Sequence, residues 1–431
     1  MNYFPWYNFI RILLFIPFSK NIYPDIIMIS ETKYLIDFLD THISHKLTTF
    51  DKTRFSNSSK ELLKQLFNNM IIGEKDIPDI KYSDFDDLKT GEYYHLMQNK
   101  VKQHIDGIER KGRHYSFKIN KRNINVFMIS EKNQPFKNNY YKKSIAKIYK
   151  WLKLASIYST NDDCSQNLNI YLYFTDLKKI IPQENDPIDE NNANTAFTFS
   201  CKYNNEIYIY RKEEWFKVLI HECFHSLHID FSSINCHDVH AKLLKLFRVN
   251  ADVSLYETYC EVWAELLNIM FICVWSRTND DVEKMIKKTE KMVNYERMFS
   301  IYQSVKILLS QGLSYNDLIS DSGITRRMRY KEKTPVLSYY ILKSIILYNI
   351  NDFVEWCFEN NGSTINFNKE NLGVIKNGME KYFDFIREHY KGESYLNCID
   401  EIEEWFHKNH KRIKDNRLEI NTMRMTVYEF P

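Results

Sequence analysis

Apolar residues recur at helical spacing from position 32 to 72, with Leu35, Ile36 and Leu39 and then Leu62, Leu63, Leu66 and Phe67 on shared faces. Between 113 and 130 the period drops to two. The runs YSFKI and NVFMIS alternate on either side of a polar turn at 120–123, which predicts a β-hairpin. Helical spacing returns over 142–158, and IYLYF (170–174) and EIYIY (206–210) then read as two further strands. The stretch between those strands, 182–200, is rich in Asn, Asp and Pro and predicts a long surface loop lining a cleft. After residue 213 the pattern is helical almost throughout, over 215–229, 239–247, 255–275, 282–309, 336–348 and 375–390. Strands in front and helices behind predict an α+β chain. The change of pattern divides it into residues 1–165, an α+β region to which no role attaches, and residues 166–431.

The 431 residues are 44% hydrophobic and 27% charged, which supplies a sizeable core and excludes wholesale disorder. Lys and Arg number 59 against 56 Asp and Glu, a net charge of +3, so nucleic acid is not expected as a partner. With 10 Gly and 9 Pro, turn-rich repeat β-architectures are disfavoured. The eight cysteines, at 164, 201, 223, 236, 260, 273, 357 and 398, form no CxxC pair and predict reduced, mostly buried thiols in an intracellular protein. Residues 3–18 are apolar, but Pro5, Asn8, Arg11 and Pro17 interrupt them. They fall short of the ~20 residues that span a bilayer and no small-residue cleavage site follows, so a segment packed on the body is expected, with no membrane anchor and no signal peptide.

Candidate chemistry concentrates in His221-Glu222-Cys223-Phe224-His225, an HExxH sequence. Residues four apart share a helix face, so the two imidazoles converge on one point. Neutral imidazole suits Zn2+, and the intervening glutamate can reach a water at the metal as general base. Apolar residues at helical spacing in WFKVLI (215–220) put the motif inside a helix, and the strand 206–210 precedes it across a short polar connection. That strand is expected to form the cleft edge, where an extended peptide adds as another strand. A zinc site of this kind takes a third protein ligand and keeps one position open. A histidine six residues after His225 would fall on Phe231, and His228 comes only three residues on, so His228 reads as a helix-end or supporting group. The alternative is a later carboxylate. Glu257, Glu261 and Glu265 fall four apart on one face of an otherwise apolar helix, a costly burial unless a cation or histidines partner them. Ser254 to Glu257 also fits a capping box, a role for Glu257 at the helix start alone.

These features resemble the gluzincin class of zinc metallopeptidases, which carry HExxH on one helix and ExxxE or ExxxD on the next. The nearest likeness is to uncharacterised metallopeptidase-like proteins of giant DNA viruses. It rests on EEWFKVLIHECFH (213–225), ETYCEVWAE (257–265), SYYILK (338–343) and RMTVYE (424–429), and covers residues from about 169 onward, while the front third resembles no family. The resemblance implies a zincin-like fold over 166–431: a small mixed β-sheet with the active-site helix, then a mainly helical C-terminal part. It implies one Zn2+ per chain held by His221, His225 and a glutamate, with Glu222 as catalytic base. In that class the first glutamate of the pair binds metal and the one a turn later orients a ligating histidine. Two registers fit, Glu257 with Glu261 or Glu261 with Glu265, and the ETY beginning favours Glu257 as ligand, leaving Glu261 as support or alternative ligand. An oxyanion donor from the C-terminal part is also implied; Tyr339, Tyr340 and Lys343 are candidates, with Tyr340 preferred. Arg326, Arg327 and Arg329 read as a solvated connection or a clamp for a substrate carboxylate. The expected activity is hydrolysis of peptide bonds in a peptide or protein substrate, by a cytoplasmic or virion-associated protein. The rival is a zincin-fold structural or interaction protein without catalysis, against which the presence of Glu222 argues.

Overall fold

A computed structural model describes residues 28–75, 77–159, 161–183, 186–277, 280–367, 372–409 and 417–429; the apolar run 3–18 lies outside them. Six strands form one mixed sheet: β1 Tyr82–Phe85, β2 Arg110–Ile119, β3 Arg122–Glu131, β4 Asn167–Tyr173, β5 Ala196–Thr198 and β6 Asn204–Ile209. Their order is β1-β2-β3-β4-β6-β5. β2 and β3 form the hairpin that the alternating pattern predicts, pairing Phe117 with Ile124. Asn120 takes the left-handed conformation (φ 52°) suited to its two-residue turn. β3, β4 and β6 run parallel, and the helix Asn138–Tyr158 supplies the crossover that the β3–β4 pair requires.

Side chains sort onto the two sheet faces with period two. Val126 and Met128 of β3, Ile170 and Leu172 of β4, and Ile207 and Ile209 of β6 join the helices in the main core. Tyr171, Tyr173, Tyr208 and Tyr210 face the other way, under Tyr94, Met97, Val101 and Ile105. The HExxH helix, Trp215–Ser226, packs against β5, β6 and the crossover helix. The glutamate helix, Leu255–Trp275, packs on it in turn. Among the described residues this is the one helix long and apolar enough to cross a membrane, yet 94% of its apolar window is buried inside the protein, as a core helix would be.

Several expectations change. The division at 165 cuts through the sheet, because β3 from one side pairs with β4 from the other. Thr32 also donates to the Val427 carbonyl at 2.9 Å, so the front and the tail share a core. The stretch 182–200 is not all loop: it holds a short helix, Glu190–Ala193, and β5, whose three residues are too few to show a period. The cleft edge is therefore β5, whereas the 206–210 strand is paired on both sides. The cysteine expectation fails at one pair. Cys164 and Cys201 form a disulfide, while the other six are free and buried. The parallel register explains the pair: Asn167 sits beside Asn204, and each cysteine lies three residues upstream of its strand's first residue.

Candidate metal centre

Roll of the HExxH helix is fixed by Leu219, Ile220, Cys223 and Phe224, all fully buried, which leaves His221 and His225 facing the glutamate helix. Their Nε2 atoms are 3.1 Å apart, and Glu257 Oε2 lies 2.9 Å from the first and 3.4 Å from the second. The opposite nitrogens are backed by carboxylates. His221 Nδ1 is 2.8 Å from Glu261 Oε2, and His225 Nδ1 is 2.5 Å from Asp230 Oδ2. At His225 the hydrogen-bonded Asp230 carboxylate holds the proton on Nδ1 and turns the Nε2 lone pair outward, whereas Glu261 faces His221 Nδ1 as an ion-pair neighbour outside hydrogen-bond geometry. Two lone pairs and a carboxylate oxygen thus converge, an arrangement that repels itself unless a cation or protons sit among them.

The donor set fits zinc. Tetrahedral bonds of ~2.0–2.1 Å place ligand atoms about 3.3–3.4 Å apart, and the three edges here run from 2.9 to 3.4 Å, slightly drawn in. Charge agrees as well. Glu261 is matched by an ion pair with Lys217, whereas the carboxylates of Glu257, Asp230 and Glu222 have no lysine or arginine partner among the described residues, an excess of negative charge that a cation would offset. Protons take that part in the metal-free chain. Burial alone would lower His221, but Glu257 and Glu261 raise it to about 9. Against the same burial, Cys260, Glu257 and Asp230 drive His225 well above its ordinary value. Burial would raise Glu257, yet the two histidines hold it far below the usual carboxylate range.

His225, Asp230 and Cys260 form a second group whose ligand atoms lie close together. It fits a metal less well. Burial pushes the Cys260 thiol well above its usual value in the metal-free chain. The 2.5 Å between His225 Nδ1 and Asp230 is a hydrogen-bond separation, shorter than an edge shared across a metal.

No protein-family model and no solved structure matches the chain. It is similar to an uncharacterised protein of Acanthamoeba polyphaga mimivirus, at 24% identity over 198 residues, 46% of this chain and 49% of that protein. The match therefore spans about half of the relative's length. That likeness points to giant-virus proteins and brings no activity with it.

The remaining candidates fall into place around the centre. Glu222 is 7% exposed and lines a cleft with His221 and Tyr339; burial pushes its carboxyl up. Glu265 lies a turn further along and pairs with Lys343 at 2.6 Å, away from the histidines. The Ser254 side chain makes no helix cap, so the capping-box role for Glu257 is not realised. His228 stands just past the helix end in the left-handed conformation (φ 59°), ending the helix at Ser226, sooner than the apolar spacing predicts. The preference for Tyr340 is corrected: it is fully buried and donates to the Met423 carbonyl at 2.6 Å. The two tyrosines are neighbours in the π-helical turn Leu337–Leu342 and point different ways, and it is the Tyr339 ring that faces His221, 6.3 Å between centroids. Arg326 and Arg327 find local partners in Asp317 and the Ser320 carbonyl.

Asp230 is the residue that sequence reasoning missed. After the helix ends, the Ile229 N–H returns to the Phe224 carbonyl at 2.8 Å, and this reversal swings Asp230 beneath His225. Ser232 Oγ donates to its other oxygen at 3.0 Å. The one signal available was an acidic residue five positions after the second histidine, and spacing alone does not reveal the reversal that makes it count.

Proposed function

We propose that this chain is a zinc-dependent metallopeptidase. The reading is carried by the convergence of His221 Nε2, His225 Nε2 and Glu257 Oε2 within 3.4 Å, each imidazole backed by a carboxylate. Zinc bound there would polarise a scissile carbonyl and acidify a water towards a pKa of ~7. The chain's own residues do the rest. Glu222 takes the proton of the attacking water and hands it to the leaving amine; a carboxyl whose pKa is raised by burial suits a group that must act first as base and then as acid. The substrate backbone pairs with the outer edge of β5, whose inner edge is taken by β6. Tyr339, beside His221 at the cleft, is the favoured oxyanion donor. The mimivirus likeness favours a viral protein.

Metal analysis and a peptide-library digest test this together. The expected result is one zinc per chain, lost in His221→Ala and His225→Ala. Glu222→Gln should keep the metal while cleavage falls by about 100- to 10,000-fold. Equal zinc in all the proteins, or a Glu222→Gln variant as fast as its parent, would overturn the reading. A zinc-loaded native chain that cleaves nothing would favour the structural role instead.

A further inference from the structure

Residues 422–429 run through the interior outside the sheet, bending at Met425 and Val427, and buried side chains from other segments hold their backbone. Glu214, the residue before the HExxH helix, accepts the N–H of Met425 at 2.9 Å and of Thr426 at 2.7 Å. Lys343 donates to the Met425 carbonyl at 2.7 Å, and Tyr340 to that of Met423. Glu296 accepts the N–H of Val427 at 2.9 Å. Both peptide groups of Met425 are therefore fixed. Its side chain runs into the wall of the cleft that His221 and Glu222 line, with Sδ 3.9 Å from Lys217 Nζ.

We propose that Met425 sets the substrate class of this cleft, closing a subsite beside the scissile bond so that a small uncharged side chain (Gly, Ala or Ser) is accepted there. The inference rests on the peptidase reading. Val218, one helical turn before His221, places the subsite against the metal-binding face, and Ala193 and Ala196 bound it on the side of the edge strand. Lys179 and Lys217 also line it, but each is taken up by a buried carboxylate, Glu214 and Glu261, so no unmatched cation remains to draw in an acidic side chain. The space among these residues, open towards solvent, is about 40 Å3, small beside the roughly 150 Å3 of an enclosed cavity that holds a benzene ring. A leucine or phenylalanine side chain directed inward would have to push the Met425 thioether aside, and the bonds to its backbone fix the point from which that side chain swings.

The test is a peptide library randomised on each side of one cleavable bond, digested by the zinc-loaded native chain and by Met425→Ala and Met425→Val. Circular dichroism and zinc content establish that each variant is folded and loaded. At one flanking position the native chain should cleave the Gly, Ala and Ser peptides with kcat/KM at least about 10-fold above the Leu and Phe peptides, the scale on which pockets discriminate by a methylene. Both variants should raise the Leu-to-Ala ratio by a similar factor. Preference for Leu or Phe at both flanking positions, or folded variants with an unchanged ratio, would overturn the inference. The native preference is read without any substitution, so a variant that fails to fold does not remove the test. A zinc-loaded native chain that cleaves no peptide refutes the peptidase reading and this inference with it, an outcome distinct from cleavage with the wrong preference.

Discussion

Asp230→Asn replaces one carboxylate oxygen by an amide nitrogen at nearly constant volume. The carboxylate lies 2.5 Å from His225 Nδ1 and is held by Ser232 at 3.0 Å, so the substitution tests charge and tautomer rather than packing. Without the anion, Nδ1 no longer has a strong hold on its proton, and the Nε2 lone pair is no longer committed to the metal. Losing such a support weakens metal affinity by about 10- to 100-fold, or roughly 1.4–2.7 kcal/mol at 1.36 kcal/mol per decade. Glu257→Gln removes a coordinating charge and should cost more than that. Cys260→Ser should leave affinity where it was, since its thiol is not among the three atoms of His221, His225 and Glu257 that converge. The assay is zinc release to a competing chelator at fixed ionic strength, with circular dichroism to confirm the fold. If Cys260→Ser releases zinc readily while Glu257→Gln does not, the metal sits in the His225–Asp230–Cys260 group and the assignment is wrong. An unchanged affinity in Asp230→Asn would remove the orienting role from that residue.

Tyr339→Phe should lower kcat by about 100- to 1,000-fold with little change in KM, as loss of an oxyanion donor does. Tyr340→Phe should instead cost about 1 kcal/mol of stability through its lost bond to Met423; the reverse pattern in kinetics and unfolding would return the donor role to Tyr340. Glu214 is buried, which would raise its carboxyl, but Lys179, Lys217 and Arg424 hold it down to about 2. Its folded value lies below the ordinary 4.5, so it contributes on the order of 3 kcal/mol above that pH and loses it as pH falls from 4.5 to 2. Urea midpoints should fall across that window in the native chain and less so in Glu214→Gln; parallel slopes would refute the linkage. Opening the Cys164–Cys201 bridge, which spans 37 residues, should cost about 4 kcal/mol by loop entropy. A reductant that leaves the urea midpoint unchanged would show that the bridge does not stabilise the fold.

The histidine pair and the facing glutamates were legible because four residues make about one helical turn, so sequence spacing alone puts each set on one face. The strands of the sheet centre were legible through their period of two, as in Ile207, Tyr208 and Ile209. What escaped depends on where distant segments meet. β5 is too short to carry a pattern, and its place beside β6 depends on pairing with a strand further along the chain. The Cys164–Cys201 bridge follows from the parallel register of β4 and β6, which neither cysteine's neighbours encode. Asp230 needs the reversal at His228, and the choice between Tyr339 and Tyr340 needs the roll of their helix about its axis. The front third looked separable because its own helices and hairpin are locally complete, yet β3 pairs across the supposed boundary.

Beyond what Glu214 adds to stability, the charges beneath the centre fix position. Lys217 precedes His221 by four residues on one helix, and Glu261 follows Glu257 by four on the other. His221 therefore meets Glu257 while Lys217 meets Glu261, and His221 Nδ1 links across to Glu261 at 2.8 Å. A slip of one residue on either helix rotates its face by about 100° and breaks every one of these contacts at once. The register of the two helices is thus specified by these charges, and it brings His221, His225 and Glu257 together. The same layer reaches the tail, because Glu214 and Lys343 grip the backbone on either side of Met425. The His221–His225–Glu257 cluster and the wall that Met425 gives the cleft thus rest on one buried ionic layer, so a substitution at Glu214, seven residues before His221, should be felt in the cleft as well as in the stability of the fold.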